Sequence, residues 1–182
     1  MAQDKAGLLG QLNQFRLFKP GSRKLISDIA YKTLELGNFY QFDYHYTQST
    51  GKSSVTHRQT VVYIESKELS LPQFYQKPEN FFTRLGALLG FKDIDFINFT
   101  EYSDKFHLVG EFESVVRYYF TDSVLNILTR QQDVYMEGMN YYFILYQFDI
   151  LQKEEGLKAF KNLGMLLYDL FKSRSIESES AF

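Results

Sequence analysis

The stretch Asp93–Phe120, DIDFINFTEYSDKFHLVGEFESVVRYYF, decides the fold that this sequence predicts. Side chains alternate with a period of two over residues 93–98 and again over residues 106–111, which is typical of half-buried strands. The polar residues 100–105 between them predict a turn. The first part of the stretch is therefore expected to run strand, turn, strand.

A helix is predicted to end the same stretch, because its apolar side chains follow a 3.6-residue period. Glu111 and Glu113 stand at the expected start, where the helix dipole favours negative charge, and Arg117 stands nearer the end. The apolar positions fall at i, i+3, i+4, i+7 and i+8, and we expect all of them to face the core: Phe112, Val115, Val116, Tyr119 and Phe120.

The rest of the chain predicts the same mixture of strands and helices, with one antiparallel hairpin formed by Asn38–Thr47 and Thr56–Ser66. A second hairpin is expected to turn about Gly138-Met139-Asn140. The remaining strands are predicted at 15–18, 25–33, 73–76, 134–137 and 141–148, with a helix as the alternative at 25–33. The remaining helices are predicted after Pro78 through residue 89, at 122–131 with Thr121 or Asp122 as cap, and at 153–173.

These elements predict a single α+β domain over residues 1–182, with a mostly antiparallel, twisted sheet and helices packed on one side of it. Residues 1–10 and 174–182 are expected to fray. The pattern F-x-x-L-G-x-L-L occurs at 82–89 and again at 160–167. It leaves open an alternative architecture of two similar strand-plus-helix halves.

Composition excludes several classes of protein. The chain has 182 residues and a formal net charge of −2, which disfavours a nucleic-acid binder. It has no Cys, so disulfides and thiolate metal sites are excluded. No apolar run reaches the roughly 20 residues that span a bilayer, so we expect a cytoplasmic chain without a membrane span.

The titratable residues predict no metal, no cofactor and no catalytic residue. Gly51-Lys52-Ser53 lacks the upstream glycine and the following helix of a phosphate-binding loop. His45, His57 and Asp43 lie on the two arms of the first hairpin and are the best candidates for metal ligands, but their spacing is not that of a metal motif. The pair Asp93 and Asp95 is typical of a solvated strand edge.

Aromatic residues are unusually abundant, with 18 Phe and 14 Tyr. Tyr40, Tyr44 and Tyr46 share one face of a predicted strand, and Tyr118 lies about 100° around a helix from Tyr119. These tyrosines either face the core or form an exposed aromatic patch, and such patches mark interaction sites. The second alternative implies docking of a second copy of the chain or of a protein partner.

Six short motifs follow one another along the chain: Phe42-Asp43-Tyr44-x-Tyr46, Gln59-Thr60-Val61-Val62, Leu71-Pro72-x-Phe74, Pro78-Glu79, Asp93-Ile94-Asp95-Phe96 and Phe106-x-Leu108-x-Gly110-Glu111-x-Glu113-x-x-Val116-Arg117. In their order they resemble a bacterial family of unknown function. The resemblance covers most of residues 12–170 and provides no catalytic residues. Many relatives in this family carry predicted membrane helices ahead of the domain, which places them near the inner membrane. This sequence has none, so we expect either a free-standing version or the soluble part alone.

The function that these observations favour is a non-catalytic binding or interaction domain acting near the inner face of the bacterial membrane. The alternative is a small-molecule-binding domain, or a hydrolase, with an aromatic-lined cleft between sheet and helices. The two alternatives differ in one feature. An enzyme requires two or more titratable side chains with perturbed pKa values that face one pocket.

Overall fold

The structure, a computed structural model, describes residues 5–79 and 92–180. Seven strands are β1 (Ser22–Thr33), β2 (Gly37–Ser49), β3 (Ser54–Ser66), β4 (Leu71–Pro78), β5 (Phe106–Gly110), β6 (Val134–Asn140) and β7 (Tyr142–Gln147). They form one sheet in the order β1-β2-β3-β7-β6-β4-β5. Every neighbouring pair in it is antiparallel, as the sequence predicts.

Helices surround this sheet, which confirms the α+β class. They are α1 (Lys5–Leu12), α2 (Thr100–Ser103), α3 (Glu113–Tyr119), α4 (Asp122–Thr129) and α5 (Glu154–Ser180), with a 3₁₀ turn at Arg16–Phe18. Among the described residues, no helix combines the length and apolarity that crossing a bilayer would need.

One face of the sheet, here called the helix face, packs against α2 to α5. Phe74 of β4 meets Phe120 edge-on with ring centroids 5.1 Å apart, and Phe171 of α5 lies 5.9 Å from Phe74. Gly164 allows α5 to approach closely, since a Cβ there would lie 2.7 Å from Cγ1 of Val62. All three rings are almost fully buried, so this face carries the larger part of the core.

The opposite face, here called the tyrosine face, is covered by the N-terminal segment, residues 5–19. Leu12, Phe15 and Phe18 of this segment are fully buried against it. The ring of Phe18 lies 4.4 Å from that of Tyr44, centroid to centroid. The N-terminal segment is thus a second layer, in addition to the one-sided helix layer that the sequence predicts.

Two predicted strands are wrong. Residues 16–18 form a 3₁₀ turn, because the amides of Arg16 and Leu17 donate to the carboxylate of Glu137 instead of to a neighbouring strand. Residues 93–98 form no strand, although Ile94 N donates to Leu108 O. The amide that would form the reciprocal bond, Leu108 N, donates to the Asp93 side chain instead, so no strand ladder forms there.

The predicted core face of α3 is only partly correct. Val116, Tyr119 and Phe120 are buried, whereas Phe112 is 59% and Val115 42% exposed. Phe112 precedes the helix with extended backbone angles, so the helical period does not extend to its side chain. The helix prediction itself is confirmed, as is the Thr121 cap of α4, where the Thr121 side chain accepts from Val124 N.

Other boundaries differ from those predicted. The second hairpin turns at Asn140, which has a φ of 50°, and not about Gly138, which lies inside β6. Pro78 is the last residue of β4 and not the first of a helix, and residues 80–89 of the predicted helix lie outside the described residues, as does the first copy of the repeated pattern. The ends expected to fray are helical over 5–10 and 174–180.

Candidate ligand-binding cavity

The hairpin histidines do not come together as metal ligands. In the β2–β3 register Tyr46 pairs with His57, and His45 pairs with Arg58. His57 therefore lies on the tyrosine face, whereas His45 and Asp43 lie on the opposite face. His57 Nδ1 is instead 2.8 Å from an oxygen of Asp149. The Asp43 carboxylate accepts from the Thr60 hydroxyl at 2.7 Å, so the three candidate residues do not converge on one site.

The proposed aromatic surface is also corrected in part. Tyr44 and Tyr46 are 0% and 1% exposed, because the N-terminal segment covers them. Tyr40 is half-buried near Glu65, and burial, followed by the Glu65 charge, raises its pKa to about 12. Tyr118 is half-buried beneath the guanidinium of Arg174, whose Cζ is 3.6 Å from the ring centroid.

The polar motifs of the sequence analysis have ordinary surroundings. Gly51-Lys52-Ser53 lies in the exposed turn between β2 and β3, as expected of a hairpin. Asp95 is exposed and Asp93 turns away from it toward His107, so the two do not form a carboxylate pair. Glu113 pairs with Arg117 along α3 at 2.7 Å.

The side chains of interest for function meet elsewhere, in a cavity of about 140 Å³ between the N-terminal segment and strands β4, β5 and β6. This cavity has both polar and apolar walls. Its lining residues are Gln14, Arg16, Lys19, Gln73, Phe74, Tyr75, Val109, Gly110, Glu111, Glu137 and Met139.

Glu137 is the central polar group of this cavity. β6 directs its side chain to the tyrosine face, where it is 2% exposed. Its Oε2 accepts from Arg16 N at 2.8 Å and its Oε1 from Leu17 N at 3.3 Å. Burial raises the pKa of Glu137 to about 7, although these two bonds and the charges of Arg16 and Lys19 act in the opposite direction.

Groups of both charges line the cavity. The guanidinium of Arg16 lies over the ring of Tyr75, with Cζ 5.1 Å from the centroid. Lys19 and Glu111 are exposed at the rim, while Glu137 lies at the base. The arrangement can therefore pair with a positive and a negative group on one small molecule.

Two titratable side chains with perturbed pKa values face this cavity. One is Glu137, and the other is Tyr75, whose pKa is raised by burial and then by the charge of Glu137. The feature that the sequence analysis requires of an enzyme is thus present, and such a group of side chains is equally compatible with a binding site. Neither residue is close to the hairpin where the sequence placed its candidates.

Sequence reasoning did not identify this site, although one signal was present. Val134–Asn140, VYMEGMN, is a strand whose single charged residue is Glu137. A lone carboxylate in such a strand is either exposed to solvent or buried with a partner. The sequence does not show which applies to Glu137, because the partners of its carboxylate lie about 120 residues away along the chain.

Comparison of the chain with protein-family models, with curated proteins and with solved structures gives no match to any of them.

Proposed function

We propose that this protein is a non-catalytic binding domain whose ligand is a small zwitterion of the amino-acid type. The observation that carries the proposal is the convergence of Arg16, Lys19 and the buried Glu137 on one cavity. Arg16 and Lys19 would receive a carboxylate, and Glu137 would receive an ammonium.

The size and walls of the cavity support a small ligand. A volume of about 140 Å³ suits a molecule of few heavy atoms, and Tyr75, Val109 and Met139 offer apolar contact for a short side chain. Gln14 and Gln73 supply amide donors and acceptors near the opening. Few precisely placed polar groups among apolar walls are typical of small-molecule sites.

The raised pKa of Glu137 predicts that ligand affinity depends on pH. A bound ammonium favours the ionised carboxylate, so binding would lower the pKa of Glu137 from about 7 and release a proton. Affinity for a zwitterion should therefore rise between pH 6 and 8. A ligand with only a carboxylate would show the opposite trend, because it favours protonated Glu137.

The test measures the melting temperature of the protein with alanine, with propionate, which is alanine without its ammonium group, and with ethylamine, which is alanine without its carboxylate. A ligand at 100 times its dissociation constant stabilises the folded state by about 2.7 kcal/mol. We expect alanine to raise the melting temperature and the single-charge analogues to have little effect. Failure of all three, or an equal effect of propionate, contradicts the proposal.

A pair of arginine variants tests the location of the site. Arg16→Met removes the guanidinium but keeps the backbone N–H that donates to Glu137. Arg117→Met is the matched control, since Arg117 also lies over an aromatic ring, 5.0 Å from the Phe96 centroid, but does not line the cavity. Arg16→Met should weaken alanine binding about 10-fold or more, the worth of a charged hydrogen bond. Equal losses in both variants contradict the assignment.

A further inference from the structure

A second group of polar side chains lies at the β4–β5 end of the sheet. Within residues 5–79 and 92–180, Glu79, Asp93 and His107 are the one group of three or more ligating side chains whose donor atoms lie close together, all within 4.8 Å of one another. His107 Nδ1 is 2.9 Å from Asp93 Oδ2 and 3.8 Å from Glu79 Oε2. The group is independent of the cavity, whose lining includes none of these three residues.

Three segments of the chain bring these side chains together. His107 is in β5, where it pairs with Lys77 of β4, and Glu79 follows the end of β4. Glu79 N donates to Lys105 O, which holds the backbone of Glu79 beside the start of β5. Asp93 reaches the group from the segment alongside β5, where Ile94 N donates to Leu108 O.

The Asp93 carboxylate is already oriented. Its Oδ1 accepts from Leu108 N at 2.9 Å, which directs Oδ2 to the imidazole of His107. A backbone donor on one oxygen of a ligating carboxylate is the outer-shell support that metal sites use. The same bond ends the β ladder predicted for residues 93–98, so the departure from regular strand structure serves this group.

From this geometry we propose that Glu79, Asp93 and His107 bind a first-row divalent cation such as Zn²⁺ or Mn²⁺. One imidazole nitrogen with two carboxylates is a donor set of intermediate hardness, which suits these ions better than Mg²⁺ or Ca²⁺. Two ligand atoms bonded at about 2.1 Å lie about 3.0 Å apart at a right angle and about 3.4 Å apart in a tetrahedron. The 2.9 Å separation of His107 Nδ1 and Asp93 Oδ2 fits the first value, and the 3.8 Å between His107 Nδ1 and Glu79 Oε2 exceeds the second, so the Glu79 side chain has to move toward the other two ligands.

The local charge and exposure also favour a cation. The two carboxylates give the group a formal charge of −2, which attracts a cation. The side chains of Asp93, His107 and Glu79 are 29%, 22% and 47% exposed, so an ion has a path from solvent. Three protein ligands leave further coordination positions for water or for a second ligand.

The experiment uses the protein treated with chelator and then dialysed, with Zn²⁺ for calorimetric titration and Mn²⁺ as a paramagnetic probe for NMR. The chain has three histidines, so three imidazole Hε1 signals are expected. Substoichiometric Mn²⁺ should broaden the signal of His107 first and leave those of His45 and His57 sharp. Broadening of His57 or of His45 first, or of all three together, overturns the proposal.

Variants then test the ligands. His107→Gln and Glu79→Gln should each weaken Zn²⁺ binding at least 10-fold, and Glu79→Gln alters an exposed side chain that folding does not require. His57→Gln is the matched control, because His57 is likewise paired with a carboxylate, that of Asp149, in another part of the sheet. No measurable Zn²⁺ binding by the parent, or an equal loss in the control, overturns the site.

Discussion

Glu137 combines a structural and a chemical role in one side chain. Its carboxylate accepts the two backbone amides that begin the 3₁₀ turn at Arg16–Phe18, so it fixes the N-terminal segment to the sheet. The same burial makes the ionised form costly, because the lost hydration exceeds what the two bonds and the nearby cations return. Its protonation state therefore affects both stability and the proposed ligand binding.

This residue predicts a pH dependence of stability. The folded pKa of Glu137 is raised from 4.5 to about 7, so its contribution is fully present below about pH 4.5 and is lost as the pH rises through about 7. At 1.36 kcal/mol per pKa unit, the loss amounts to about 3 kcal/mol at most.

The measurement is urea unfolding of the parent and of Glu137→Gln at several pH values from 4.5 to 8. The unfolding free energy of the parent minus that of the variant should fall across this range, since other titrating groups are common to both proteins. A difference that is constant with pH, or that rises, would show that Glu137 is not a buried carboxyl with a raised pKa.

Among the elements, α3 shows most clearly how packing departs from periodicity. Phe120 follows its last residue and lies in a cluster of rings, 5.1 Å from Phe74 and 6.1 Å from Phe171. Phe112 precedes its first residue and is 59% exposed. The two phenylalanines bracket the same helix and have opposite environments, although the helical period assigns both to the core.

This contrast gives a prediction with an internal control. Phe120→Ala should lower the free energy of unfolding by roughly 3–5 kcal/mol, the usual cost of emptying an aromatic core position. Phe112→Ala removes the same atoms from an exposed position and should change it by about 0.5 kcal/mol or less. Denaturant titration of the two variants beside the parent measures both values. Comparable losses in the two variants would contradict the assigned faces of α3.

The sequence correctly predicts the elements that a short-range pattern determines. In the β2–β3 hairpin the side chains alternate over many residues, and the predicted ends of both strands lie within two residues of the observed ones. The strand predictions at 15–18 and 93–98 are wrong for a related reason, because a carboxylate takes a backbone amide that a ladder would use. Glu137 takes the amide of Arg16 in the first, and Asp93 takes the amide of Leu108 in the neighbouring strand β5 in the second.

The candidate sites could not be predicted from sequence for a related reason. Glu137 and Arg16 are 121 residues apart, and Glu79 meets His107 only because β4 and β5 pair. No local spacing encodes either contact. The hairpin histidines are candidates in the sequence because they lie on the two arms of one hairpin, but strand register places His45 and His57 on opposite faces.

At the scale of the whole molecule, two buried clusters share one sheet. The helix face contains Phe74 and Phe120, and the tyrosine face contains Tyr44 and Phe18. Adjacent residues of each central strand point into different clusters, so neither cluster can form without the strands that carry the other. The described residues thus favour one cooperative unit.

The prediction is that unfolding in denaturant follows a single transition. Far-UV circular dichroism reports the whole backbone, whereas near-UV dichroism reports the packed tyrosines, six of which are buried on the tyrosine face: Tyr44, Tyr46, Tyr63, Tyr75, Tyr135 and Tyr146. For a two-state protein the two midpoints coincide. Phe18→Ala on the tyrosine face and Phe120→Ala on the helix face should each move both midpoints together, with an unchanged slope. If Phe18→Ala shifts only the near-UV transition, the tyrosine face unfolds separately. The N-terminal segment would then unfold independently of the sheet, which its helices alone would stabilise.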